Sequence, residues 1–145
     1  MSTTGLEVLD KPVQTTNIWL KEIMEDHGDD RQVAWHILGA VLHALRDRLP
    51  AELAAHLGAE LPLAIRGLYY DQYQPSRQPD VIRSLDEFLE RVQQGLANTR
   101  PVDSRDATRT VFRVITRHVD LGQSAKVREA LPKEIQALWP DSVGV

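Results

Sequence analysis

Residues 61–69 read LPLAIRGLY and residues 131–139 read LPKEIQALW, so Leu61, Pro62, Ile65, Leu68 and Tyr69 match Leu131, Pro132, Ile135, Leu138 and Trp139 without gaps at an offset of 70. The same offset pairs Val41 with Val111, Leu42 with Phe112, Leu45 with Ile115, Leu49 with Val119 and Leu57 with Val127. An offset of 69 brings Trp19, Leu20 and Ile23 onto Phe88, Leu89 and Val92. A shared proline register with four helical segments in the same order points to duplication of one unit. Each unit has roughly 60 to 70 residues, a size at which one hydrophobic core is marginal. The expected fold is therefore all-α, with two tandem four-helix repeats packed as one pseudo-twofold bundle rather than as two beads on a string.

Working outward, helical periodicity covers most of the chain. Trp19, Leu20, Ile23 and Met24 share a helix face, with Thr16 or Asn17 available as N-cap and Gly28 placed to end the helix. Asp29 or Asp30 can cap the next segment, where Val33, Ile37, Leu38, Val41, Ala44 and Leu45 wrap more than half the circumference. Such a helix belongs at the centre of the fold. Pro50 can open a short helix that Gly58 closes, and Pro62 opens another. The stretch QPSRQPD, residues 74–80, reads as a connector. Beyond it, Ser84 with Glu87 fits a capping box ahead of Leu85, Phe88, Leu89, Val92 and Leu96. Asp103 or Ser104 can cap a helix with Ala107, Val111, Val114 and Ile115 inward; a short segment follows around Ala125 to Ala130, and Pro132 opens the last helix, which Pro140 limits. No segment combines β-branched alternation with hairpin turn chemistry. Residues 1–15 are expected to form a flexible arm ahead of a single helical domain, 16–141, divided into repeat one (16–73), connector (74–83) and repeat two (84–140).

Composition narrows the function classes. The 145 residues, 42% of them hydrophobic, suffice for one sizeable core, and 17 basic against 21 acidic residues argue against tight non-specific binding of polyanions. The absence of cysteine excludes disulfides, thiolate nucleophiles and thiolate metal sites, and suits a reducing cytoplasm. The start, MSTTGLEVLDKPVQTTN, does not read as a secretory signal. The longest stretch without a formal charge, residues 32–45, falls short of the ~20 apolar residues of a membrane span.

The stretch LRDRLPAELAAHLGAELPLAIRGLYYDQY, followed by DEFLERV and the closing EALPKEIQALWP, resembles the domain of unknown function 2267 family, widespread in bacteria. The resemblance spans about residues 17–141 and both halves. It implies a bacterial, helical, two-repeat protein and carries no activity, cofactor or catalytic residue with it.

Two polar features are candidate sites. Arg105, Arg109, Arg113 and Arg117 recur every fourth residue and line one helix face over roughly 18 Å. Guanidinium forks at that spacing can clamp phosphates or an acidic partner, and the alternative is a solvated face balanced by Asp103 and Asp106. The matching positions of the first half hold Trp35, Gly39, His43 and Asp47, so the stripe belongs to the second half alone. Arg66, Tyr69, Tyr70 and Tyr73, with Gly67 expected to permit close backbone approach, form an aromatic and basic cluster. That cluster serves either packing between subdomains, with wet hydroxyls, or a protein partner. His36 and His43 are about 10 Å apart along a helix axis and cannot ordinarily share one ion, so no metal site is expected. No HExxH, GxSxG, P-loop or GxGxxG occurs, and no cofactor or catalytic residue is expected. The reading is a non-catalytic helical protein-interaction module, binding itself or another protein, in the cytoplasm. The alternative is an anion- or nucleic-acid-binding domain using the arginine stripe.

Overall fold

The fold is described from a computed structural model covering residues 4–140. The expected domain end at residue 141 and the first three residues of the expected arm lie outside the described residues. Among the described residues there are eight α-helices and no strand: α1 (Glu7–His27), α2 (Arg31–Arg48), α3 (Ala51–Ala59), α4 (Leu63–Tyr70), α5 (Leu85–Gly95), α6 (Ser104–His118), α7 (Leu121–Glu129) and α8 (Lys133–Gln136). A single 3-10 turn, Pro75–Arg77, lies in the connector.

The helix starts follow local capping chemistry. Asp30 accepts from the backbone N–H groups of Gln32 and Val33 at α2, Asp103 from Asp106 at α6, and Asp120 from Gln123 at α7. At α5 the capping box is complete: Ser84 Oγ accepts from Glu87 N, while Glu87 Oε1 accepts from Ser84 N and Arg83 N. Pro50, Pro62 and Pro132 each stand immediately before a helix.

Residues 7–15, expected to be an irregular arm, are the first turns of α1, which therefore starts well before Thr16. Leu6, Leu9, Val13, Thr16 and Leu20 alternate spacings of three and four, a helical stripe that Pro12 and the neighbouring threonines obscure. Glu7 and Asp10 put negative charge in the first turn, and Thr4 bonds Asp10 through both its backbone N and its hydroxyl.

Gly58 does not end α3; it is buried inside the helix, and the C-cap is Glu60. A Cβ at Gly58 would stand 2.3 Å from Tyr70 Oη and 2.9 Å from Tyr69 Cε2. Gly67, by contrast, has nothing within 4 Å of where its Cβ would be, so close approach belongs to Gly58 and to Gly95, whose Cβ would lie 2.8 Å from Ala40 Cβ.

One hydrophobic core runs through all eight helices. Its centre is α2, which packs against α1, α4, α5 and α6. Ile37, Leu38, Val41, Leu42 and Leu45 of α2 are fully buried, as the apolar wrap of its sequence requires. Elsewhere α1 packs on α6, α5 on α6 and α8, and α3 on α7.

Candidate functional site

The arginine stripe divides in two. Arg113 donates to Asp26 Oδ2 at 2.7 Å and Arg117 to Glu22 Oε1 at 3.2 Å, which ties the second half of α6 to α1. Thr110 Oγ donates to the same Asp26 oxygen at 2.9 Å, and His27 Nε2 lies 3.0 Å from that hydroxyl. The Arg113 guanidinium holds the Asp26 carboxyl below its ordinary range, against an opposing push from burial, with Thr110 adding to the depression. Arg105 and Arg109 make no ion pair among the described residues. Arg109 lines an opening of about 490 Å³ with Arg100, His27 and Arg113, but Asp26, Asp103 and Asp106 share it, so its charge is mixed. Of the positions of the first half that match the stripe, two pack against α4: His43 Nε2 is 2.7 Å from Leu68 O, and a Cβ on Gly39 would be 3.1 Å from Leu68 Cδ1.

The tyrosine cluster is folded onto the chain itself. Tyr69 is fully buried and its hydroxyl donates to Ala54 O at 2.6 Å, so the expected wet hydroxyl is absent at this position. Burial pushes that hydroxyl well above the usual phenol range. Tyr70 meets Tyr69 edge-on, Tyr73 donates to Gln78 Oε1, and Arg66 Nη2 donates to Ala59 O and Leu61 O at the end of α3. The residue that organises this corner is Arg46, which the sequence reading missed. Only 3% exposed, it donates to Tyr69 O at 2.6 Å, Asp71 O at 3.0 Å and Asp47 Oδ1 at 2.8 Å, and lies over the Tyr73 ring. Gln78 in turn donates to Arg46 O and Leu49 O, closing the end of α2, while Asp80 N bonds Asp47 O and Arg91 bridges to Asp80 at 2.5 Å. The connector is thereby pinned to both α2 and α5.

A second kind of opening lies elsewhere and was not legible in the sequence. A groove of about 730 Å³ runs between the first half of α1 and the corner joining α3 to α4. Val8, Pro12, Thr15 and Trp19 form one wall, Leu61, Pro62 and Leu63 the other, and His118 from the end of α6 closes it. His118 stacks on Trp19 with centroids 5.2 Å apart and bonds Glu22 Oε2 at 2.8 Å, a partner 96 residues away. Trp19 is buried, and its Nε1 has no acceptor among the described residues. Val8 and Leu63 stand on the rim, 70% and 51% exposed. The lining is mostly apolar and the volume is within the range of ligand-sized clefts. No group of three or more His, Asp or Glu positioned to hold a metal occurs among the described residues.

These features define an all-helical bundle that carries an apolar groove and a basic stripe partly engaged with its own first helix. The chain belongs to the family described as "Uncharacterized conserved protein (DUF2267)", whose model matches residues 16–138. The match starts at the position equivalent, at an offset of 69, to Leu85 where α5 begins, so the earlier turns of α1 precede it. No curated protein matches the chain. Among the described residues no helix is long and apolar enough to cross a membrane.

Proposed function

We propose that the chain is a non-catalytic protein-interaction module whose binding surface is the groove between α1 and the α3–α4 corner. The observation that carries this reading is the groove's apolar lining together with a rim of exposed large apolar residues, Val8 and Leu63. A small protein keeps such a surface open to water at a cost unless something covers it. The reading needs no cofactor and assigns no catalytic residue.

The scaffold of the module, in this reading, is a duplicated four-helix unit, residues 16–73 and 84–140, arranged about an approximate twofold axis. Helix neighbours support it. Exchanging α1–α4 with α5–α8 converts the α1–α6 packing into α5–α2, the α1–α2 packing into α5–α6, and the α1–α4 packing into α5–α8, all of which occur. The α2–α6 and α3–α7 contacts map onto themselves, as contacts across such an axis must, whereas the α2–α4, α3–α4 and α6–α7 packings have no counterpart of similar extent, so the symmetry is approximate. The family resemblance and the lack of cysteine favour a bacterial cytoplasm as the setting.

A photo-crosslinking amino acid at position 63, introduced in cells of the source organism, tests the proposal. A protein adduct is expected from position 63 and none from position 105. No adduct from position 63 would overturn the reading. The anion-binding alternative draws on Arg105 and Arg109, which are free of ion pairs among the described residues. It predicts steeply salt-dependent binding of a DNA oligonucleotide, abolished by Arg105→Glu with Arg109→Glu. The mixed charge around Arg109 favours the interaction module.

A further inference from the structure

We infer that the groove's partner is a second copy of this chain, in a twofold dimer where the first turns of α1 of each copy lie in the groove of the other. This rests on the interaction-module reading and names its partner. The first observation is the overhang of α1. Its core-facing stripe, Thr16, Trp19, Leu20 and Ile23, is buried, and the same side of the helix continues toward the N-terminus through Val13, Leu9 and Val8. These three are 54%, 42% and 70% exposed. A helix face patterned as core thus continues into turns that the described residues leave largely exposed.

The second observation is adjacency. The overhang and the groove share Val8 and Pro12, so one chain carries side by side an apolar helix face and an apolar slot. A twofold axis satisfies both at once, because each contact then occurs twice with the roles exchanged. Charge constrains the register of this pairing: Glu7 and Lys11 both border the groove from α1 and Glu60 from the opposite wall, so a helix entering from the other copy has to bring its Lys11, and not its Glu7, toward Glu60. A specific interface buries at least about 1,000 Å² over both copies, so the exposed overhang and the groove rim of both copies must be covered together.

The third observation comes from the other half. At an offset of 69, Val13 corresponds to Ile82, which is only 3% exposed and whose carbonyl accepts from Arg48 Nε at 2.7 Å. Arg48 itself corresponds, at the offset of 70, to His118 of the groove. Ahead of α5 the equivalent apolar residue is buried, and ahead of residue 16 it is more than half exposed.

Sedimentation equilibrium of the full chain tests this. A dimer is expected, and Val8→Glu with Val13→Glu should raise its dissociation constant tenfold or more, with the helical circular dichroism unchanged because both positions are exposed, and with the melting temperature lowered only by the lost linkage to dimerisation. Val81→Glu, at another exposed apolar residue, should leave the dimer intact. Since the chain has no cysteine, mixing Val8→Cys with Leu63→Cys protein under mild oxidation should give a covalent heterodimer of the two variants. A monomer up to ~0.2 mM, or a dimer indifferent to the Val8 and Val13 changes, would overturn the inference. A position-63 photoadduct to a different protein would also overturn it, while preserving the interaction-module reading; no adduct at all would remove both.

Discussion

Gly58, Gly67 and Gly95 sit in helices of the same chain and respond to a methyl group in opposite ways. At Gly58 the added carbon meets the Tyr70 hydroxyl and the buried Tyr69 ring, and at Gly95 it meets Ala40 at 2.8 Å with that residue's Cα at 3.1 Å. Gly58→Ala and Gly95→Ala should each destabilise by ~1–3 kcal/mol, because a packed core has no room to give. Gly67→Ala meets nothing and should stabilise by ~0.5–1 kcal/mol through helix propensity. Urea unfolding of the three variants checks the signs, and a stabilised Gly58→Ala would contradict the packing of α4 on α3. The sequence reading assigned close approach to the wrong glycine because propensity marks a glycine as costly without saying what faces it. Arg46 escaped the reading for a related reason: a buried arginine is identified by the carbonyls that gather around it, and those of Tyr69 and Asp71 come from a different helix end. Asp26 gives a pH prediction. Its folded carboxyl is depressed chiefly by Arg113, so its contribution is present above the ordinary carboxylate range and is lost as pH falls through the lower folded value. Arg113→Ala should cost about 0.5–1 kcal/mol near neutral pH, the modest size expected for a pair screened by solvent. That difference from wild type should shrink on acidification below about pH 4 in pH-dependent urea titrations; a difference that grew instead would refute the assignment.

Among the elements, α5 was the most legible and α1 the least. The helix start at Leu85 was readable because Ser84 and Glu87 carry a reciprocal cap whose chemistry is local. Ser84→Ala should therefore destabilise by about 1 kcal/mol in thermal or urea unfolding. An unchanged midpoint would show that Glu87 alone, through Arg83 N and Ser84 N, holds the helix start. For α1, equivalence with α5 would set the beginning near residue 16, and the helix instead begins at Glu7. Its first turns have their apolar stripe on the surface, so the usual link between periodicity and burial failed there. The groove was illegible for the same reason, being assembled from that overhang, the corner at Leu61 to Leu63 and the end of α6. The arginine stripe was legible as a pattern, yet its division between Arg113 and Arg117, which are ion-paired, and Arg105 and Arg109, which have no ion pair among the described residues, depends on where α1 places Asp26 and Glu22.

For the molecule as a whole, helix order and core membership followed from the proline register and the matched apolar positions, because these are set by local chemistry and periodicity. How the two sets of helices meet was open to the sequence only as an expectation drawn from size. Since α2 covers α5 and α6, residues 84–145 produced alone should expose the apolar faces of both and lack a cooperative thermal transition by circular dichroism. A sharp, reversible melt of that fragment would show that the second set of helices needs no help from the first. The position of α2 also bears on how the backbone trades protons with solvent. Packed by helices from both ends of the chain, its buried middle from Ile37 to Leu45 has no path to solvent by fraying alone, so the amides there should gain access to heavy water only when the entire molecule opens and should report global unfolding.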